Sequence, residues 1–542
     1  MLPFLSISSV AFLAIVPFFF WGIPSGHDFE FHMNSWMEVL AQWKLGIWHP
    51  QWAALAHYGY GEARFVFYPP ASWTLGALLG SFLPWTLVTG TYVWLALTAS
   101  GLCMFLLARR WLERTEAIYA ALFYTANPYF LVVIYWRSAF AELLAGALLP
   151  LLALAVFRRT GKPYGMILPI SLIIAAAWLI NVPAAIIVTY SGAFFVLALA
   201  LRRRSFRVLV EGAAGILLGA LLAAFYLLPA IYQQKWISVS QVLSEGYRAQ
   251  DNFLFAITAD PDHNLFNHLI SLLALAEMIA LCVTALLALR RKPRSQLFSI
   301  LAIWSAALCI SMFSLSNFFW RYLPELRFMQ FPWRWLLGLN MPLALLAARA
   351  SRRWIPRIAL YLLLLAVVGY VWHAVQPPWW DTAADIAEMV RNQINGSGYE
   401  GVDEYVPAGA DASIAKPGIP EVQYEGVGSA QVAMHHWNPE ERSFTVTASA
   451  PGMMAIRSFN YPAWKVVVNS RVTPSETNFE TGQMMIPVRS GKNQIEIRFT
   501  KTWDRMVGEI VSAIAAIFLL LLAFMQKQIW QGEIGRQNHA QS

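Results

Sequence analysis

The sequence predicts a polytopic α-helical membrane protein of about twelve transmembrane helices, with a C-terminal extracytoplasmic β-sandwich and a final transmembrane helix. Three observations predict the helices and the sandwich. Hydrophobic residues make up 58% of the chain and charged residues 13%, where soluble domains carry about 25% charged residues. Apolar runs long enough to span a bilayer recur as far as residue 373 and once more near the end. From Gln376, Pro, Gly, Asn, Asp and Glu become common, and apolar residues alternate instead of running together.

A span needs about 20 residues. Runs near that length lie at 3–22, 86–108, 116–135, 139–157, 163–180, 182–201, 207–230, 268–289, 296–313, 335–350, 356–373 and 507–526. The first has no basic residue ahead of it, Lys44 being the earliest, and no small-residue cleavage site, so it reads as an uncleaved helix. Five connectors are basic. They hold Arg109, Arg110 and Arg114; Arg158, Arg159 and Lys162; Arg202, Arg203, Arg204 and Arg207; Arg290, Arg291, Lys292 and Arg294; and Arg349, Arg352, Arg353 and Arg357. They alternate with loops poorer in Lys and Arg. This positive-inside pattern puts the N-terminus and all five connectors of an inner-membrane protein in the cytoplasm, and twelve crossings return the C-terminus there. It also accounts for the net charge of +8 through the membrane rather than nucleic acid. Parity makes 71–83, broken at Pro84, a re-entrant or interfacial helix, with a spanning helix as the alternative.

The predicted domains follow. Residues 1–375 form a transmembrane domain with outer loops at 23–70, 231–267 and 314–334. Residues 376–506 form an extracytoplasmic, mainly-β domain. Residues 507–542 form the last span and a cytoplasmic tail. In the β-domain, 443–450, 453–461, 464–472, 483–490 and 493–501 read as strands, Asn469-Ser470 and Ser490-Gly491-Lys492 as turns, and 381–393 as a short helix. Cys103, Cys282 and Cys309 all sit in apolar runs and no CxxC occurs, which argues against a disulfide framework or a zinc knuckle.

Three outer segments carry the polar residues of interest. In 25–52, Phe29, Met33, Trp36, Leu40 and Trp43 recur at helical spacing, predicting an amphipathic helix at the membrane surface with Ser25 as a candidate cap. Asp28 and His32 are four apart and share a face, while Glu30 faces elsewhere. From spacing alone, solvated first-turn carboxylates favouring the helix dipole outweigh catalysis. In 135–146, Arg137 and Glu142 bracket a turn at the membrane boundary, where pairing with each other and facing a wet cavity are equally open. In 318–336, Arg321, Arg327 and Arg334 lie against the positive-inside bias among Trp320, Trp333 and Trp335. Guanidinium groups there match phosphate oxygens, and the same residues also suit plain headgroup anchoring. His268 reads as a boundary residue, and no P-loop, dinucleotide, HExxH or nucleophile-elbow motif is present.

The motif Gly26-His27-Asp28-Phe29-Glu30-Phe31-His32, directly after a first span, resembles that of the GT-C class of membrane glycosyltransferases, which place a catalytic acid in the first outer loop. Together, 331–335 (FPWRW), 398–407 (GYEGVDEYVP) and 459–471 (FNYPAWKVVVNSR) resemble bacterial membrane proteins of the "6-pyruvoyl-tetrahydropterin synthase-related membrane domain" group. The last segment also resembles the outer β-domain of large membrane proteins linked to lipoteichoic-acid glycosylation. The pterin label implies no pterin chemistry here, since the three-histidine zinc set of the soluble synthase has no counterpart.

The GT-C resemblance implies a sugar moved from a polyprenyl-phosphate donor to an envelope glycan or lipid acceptor. It implies Asp28 as base with Glu30 as second candidate, and Arg327, Arg334 and then Arg321 on the donor phosphate. His27, His32, Arg137, Glu142 and Trp333 complete the expected substrate-binding set. Because His-Asp-Phe-Glu departs from the Asp-X-Asp or Glu-X-Asp pattern, a divalent cation (Mg or Mn) is left open, and no other cofactor is expected. A rival reading is a non-enzymatic scaffold or export component for envelope polysaccharide. A secondary transporter ranks last, because charges cluster at boundaries and no repeat is evident.

Overall fold

The computed structural model describes residues 2–158, 164–291, 296–375 and 379–541. Arg159, Lys162, Lys292 and Arg294 of the basic connectors, and the domain boundary expected at Gln376, lie outside the described residues. Among the described residues eight helices are long and apolar enough to cross a membrane, or ten if each of two bent pairs is one span. The bent pairs are Phe206–Leu222 with Ala224–Trp236, at 70°, and Gln296–Ser311 with Ser314–Tyr322, at 95°. Two expected spans are short helices. Ile167–Ile180 has 14 residues and Leu336–Ala350 has 15, below the length of about 20 that crossing requires. Leu336–Ala350 is buried inside the bundle, packed on Pro261–Arg290 and Arg114–Thr125, and runs from Arg334 at one end to Arg349, which donates to the Ala288 and Arg291 carbonyls, at the other. Pro70–Gly80, at 11 residues, is likewise too short to cross and packs on Phe29–Lys44 and Trp85–Ala108.

The two ends of the bundle differ in charge chemistry. At one end two basic connectors are tied to the start of the Arg114–Thr125 helix through three arginines. Arg352 Nη2 lies 2.9 Å from Glu113, and Arg291 and Arg357 lie 3.3 and 4.0 Å from Glu116. At the other end the segments expected outside meet each other. Gln330 Nε2 donates to the Val242 carbonyl at 2.9 Å, Leu254 N–H to Met312 at 2.9 Å, and Ser238 N–H to Val406 at 3.0 Å.

The C-terminal region enters through a two-residue antiparallel pair, β1 (Ile23–Pro24) with β2 (Trp380–Asp381), which joins it to the end of the first span. A helix, Ala383–Asn395, follows. Thr382 and Asp385 cap it reciprocally, and Gly396 closes it in the left-handed region. Two antiparallel sheets then form. The first has the order β3 (Val422–Gly426), β6 (Gly452–Phe459), β10 (Gln483–Val488), β9 (Glu476–Thr477). The second has the order β4 (Ala430–Trp437), β5 (Glu441–Ala448), β11 (Gly491–Phe499), β7 (Trp464–Val468), β8 (Arg471–Val472). Alternation along β5 turns Phe444, Val446 and Ala448 inward to meet Met454, Ile456 and Ile486 of the other sheet. Each such side chain contributes about 1.5–3 kcal/mol on burial. Asn469 and Ser470, both at positive φ, make the tight β7–β8 turn. Trp52 of the first loop packs into the same core against Trp464 and Phe499, at ring distances of 5.6 and 5.7 Å, and is completely buried.

The Phe29–Lys44 helix is not a surface helix. Its apolar face (Phe29, Met33, Trp36, Leu40) is buried, and so are His32, Ser35, Glu38 and Gln42 on its polar face. The C-terminal region covers what the amphipathic pattern left for water. Ser25 does not cap it; Asp28 holds the N-cap position.

Candidate functional site

The Arg114–Arg137 span ends in a π-helical turn, Val133–Arg137, and the chain reverses at Ser138 in the left-handed conformation before Phe140–Phe157 begins. This reversal brings Arg137 Nη1 to 2.7 Å from Glu142 Oε2. Tyr129 donates its hydroxyl hydrogen to the other Glu142 oxygen. Arg334, from the Pro332–Trp335 turn, approaches from a third side with Nε 3.5 Å from Glu142 Oε2, while its Nη1 donates to the Met329 carbonyl at 3.0 Å. Two guanidiniums thus share one buried carboxylate. Phe331 and Trp333, stacked at 4.9 Å, face them: Arg334 lies 4.7 Å from the Phe331 ring and Arg137 lies 5.0 Å from the Trp333 ring. The indole N–H groups of Trp136 and Trp333 and the Arg334 Nε–H are buried without a hydrogen-bond acceptor, so the group is rich in unused donors.

Asp28 is fixed to this group through its backbone, its N–H donating to the Arg137 carbonyl at 3.0 Å. The approach requires Gly26: a Cβ there would lie 2.5 Å from the Arg137 carbonyl carbon. The Asp28 side chain makes no cap hydrogen bond, is half-buried, and acts electrostatically on Arg137 and Arg334. His32, one turn on, is held by burial well below the usual imidazole range, at about 4. It packs on Phe140 at 5.4 Å as a neutral ring. His27 is exposed with its ring 6.3 Å from Phe266.

The structure therefore brings together His27, Asp28, Arg137, Glu142, Trp333 and Arg334 from three distant segments. Glu30 points to the exposed side of its helix. Arg321 is exposed at the end of Asn317–Tyr322, and Arg327 lies exposed over Phe328 at 4.8 Å. Among the described residues neither arginine contacts the group, because the loop turns between Arg327 and Arg334 and only the latter faces inward. Among the described residues no set of three or more His, Cys, Asp or Glu side chains gathers as a metal site would.

Sequence reasoning missed a second buried network on the polar face of the Phe29–Lys44 helix. Arg64 Nε donates to Glu62 at 2.5 Å and Nη1 to Ser35 Oγ at 3.0 Å, and His57 lies 2.9 Å from Glu62. Tyr399 donates its hydroxyl hydrogen to Glu38 at 2.7 Å, and Val402 N–H donates to Glu62 at 2.8 Å. The 398–407 motif is thus a strap docked against the first loop. The only signal for it was the presence of carboxylates and an arginine, at 38, 62 and 64, in an otherwise aromatic loop.

Fold and site together define a polytopic membrane protein with a buried ionic group at the end of its helix bundle, beneath a β-sandwich. The chain belongs to the 6-pyruvoyl-tetrahydropterin synthase related domain family of membrane proteins, whose family model matches residues 65–376, more than half of its length. Two solved structures of the arabinofuranosyltransferase AftD from Mycobacteria, one of them a point mutant, are similar to it at 18 and 19% identity, both with a TM-score of 0.43. They cover 68 and 69% of this chain, which spans only about a quarter of their length (27 and 26%). A likeness at this level says nothing of the reaction. No curated protein matches the chain.

Proposed function

We propose that the protein is a membrane glycosyltransferase moving a sugar from a polyprenyl-phosphate donor to an envelope acceptor at the extracytoplasmic face of a bacterial inner membrane. The observation that carries this reading is the convergence of a half-buried carboxylate, Asp28, with two guanidiniums and unused indole donors at one end of the bundle. Asp28 removes the proton from the acceptor hydroxyl as its oxygen bonds to the sugar C1. The bond from C1 to the phosphate oxygen breaks, and the electron pair leaves with the phosphate. Attack from the opposite side inverts the anomeric centre. The leaving group is already anionic, so it needs cations rather than an acid, and Arg334 with Arg137 supplies them in a site that Trp333 and Phe331 keep dry. Glu142 holds the two arginines together against their mutual repulsion.

A scaffold for polysaccharide export would be favoured by carboxylates and arginines dispersed over separate surfaces; Glu30, Arg321 and Arg327 do stand apart, but Asp28, Arg137, Glu142 and Arg334 are gathered. The test is donor consumption by the purified protein in nanodiscs with a panel of radiolabelled polyprenyl-phosphate pentoses and hexoses. D28N is expected to lower turnover by about 10²–10⁴ with insertion intact. Full activity in D28N removes Asp28 from the role, and no consumption of any donor removes the transferase reading.

A further inference from the structure

Glu404 belongs to the strap, in the Asp403–Tyr405 turn, and is held from both sides. Upstream, Val402 N–H is bonded to Glu62 and the Tyr399 hydroxyl to Glu38, while Tyr58 N–H donates to the Tyr399 carbonyl at 3.1 Å. Downstream, the Tyr405 ring stacks on Phe67 at 6.1 Å and packs against Phe31 at 6.4 Å. Phe31 in turn meets Tyr68 at 4.7 Å, one helical turn from Asp28. Phe31, Phe67, Tyr68, Asp28 and Glu404 are all half-buried, so each keeps part of its surface exposed where the first loop meets the strap. The negative charge of Asp28 acts on both Glu404 and Tyr68. Burial first, then the neighbouring carboxylates Glu62 and Asp28, pushes the Glu404 carboxyl up.

The site is therefore two-sided. On the bundle side lie Arg137, Arg334 and the free indole donors. On the strap side lie two carboxylates and aromatic faces; the cation acting on Glu404, Arg64, is consumed by Glu62, Ser35 and the Phe31 ring, while Arg334 reaches this side only through its charge on Tyr68. Carboxylates accept hydrogen bonds from hydroxyl groups and repel anions, while aromatic faces pack against the C–H faces of a sugar ring. We infer that Glu404, delivered by the C-terminal domain, is an acceptor-binding carboxylate opposite Asp28, and that the acceptor is a neutral polyhydroxyl compound, a sugar, rather than an anionic lipid or a phosphorylated or uronic-acid glycan. This rests on the transferase reading and adds the acceptor's chemical class to it.

The test uses the full chain in nanodiscs with whichever donor it consumes, and adds methyl glycosides of neutral hexoses and pentoses, the corresponding uronic acids, and sugar phosphates. Wild type is expected to glycosylate neutral glycosides at least about tenfold more efficiently than either anionic set. This measurement needs no variant. In E404Q the half-saturating acceptor concentration is expected to rise about tenfold while kcat falls less than about threefold, and E404D recovers part of the loss. Donor consumption with equal or better use of anionic acceptors, with no use of neutral ones, or with an unmoved half-saturation in a folded E404Q overturns this inference and leaves the transferase reading standing. No donor consumption at all overturns both.

Discussion

Replacing Glu38 by glutamine removes a carboxyl that the fold holds at 2% exposure on the polar face of the Phe29–Lys44 helix. Burial pushes this group up to about 7 from an ordinary 4.5, against the lowering effects of the Tyr399 hydroxyl, the Leu55 N–H and the Arg64 charge. The folded chain binds this proton more tightly than the unfolded one. The group's contribution to stability is therefore complete below about pH 4.5, declines from there, and is lost as pH rises through about 7. At about 1.4 kcal/mol per pH unit the loss is about 3 kcal/mol, or roughly a hundredfold in a local opening equilibrium. Hydrogen exchange reads it at the Leu55 amide, which donates to Glu38 itself, and at the Tyr58 and Tyr399 amides, which tie loop to strap. With intrinsic exchange rates divided out, protection of these amides should fall about a hundredfold further in wild type than in E38Q between pH 4.5 and 8, because Glu404, whose carboxyl burial also pushes up, acts in both proteins alike. The difference between the two proteins isolates Glu38, since the Glu62 carboxyl, held low by Arg64 and His57 despite its burial, titrates below this window. Parallel profiles in the two proteins would refute the reasoning.

Three further outcomes are expected. Arg137→Ala leaves the buried Glu142 with the Tyr129 hydroxyl and the longer Arg334 contact as its partners and should cost about 3–5 kcal/mol, seen as a lower unfolding midpoint in nanodiscs; a midpoint within error of wild type would mean the pair is not closed in the bilayer. Gly398 sits at φ +76 with space for a Cβ blocked 2.5 Å away by the Leu55 carbonyl oxygen, so Gly398→Ala should cost about 1–3 kcal/mol and raise protease sensitivity of the strap. Trp52→Ala should cost about 3–5 kcal/mol by emptying the core shared by loop and sandwich, and loss of the loop's protection together with that of β7 and β11 would register it.

Much of the fold was legible because lipid and sheet impose simple periods. Long apolar runs gave the spans, and β5 and β11 alternate because one face of each meets the opposite sheet, while β6 and β10 each bury three residues in a row and read as short apolar runs. β4 was not legible: Ala430–Trp437 is an edge strand exposed along most of its length, so burial leaves no pattern in it. The Phe29–Lys44 helix was read correctly as amphipathic and wrongly as a surface helix. Periodicity records which face is polar but not what covers it, and Tyr399, which covers Glu38, lies 361 residues away. For the same reason spacing singled out Arg137, Glu142, Asp28 and three arginines of 318–336, yet could not tell Arg334 from Arg321 and Arg327. Those three differ only in which way a short irregular turn faces.

The sandwich is pinned at both margins. On one side β1 and β2 pair it to the first span. On the other, Gln233 donates to Asp504 at 2.7 Å and to Thr502 at 3.1 Å, clasping the start of the last helix. A roof nailed along two opposite eaves cannot tip open like a lid. The domain is moored to the bundle both where the chain enters it and where the chain leaves it, so it travels with the helices instead of swinging on a single tether.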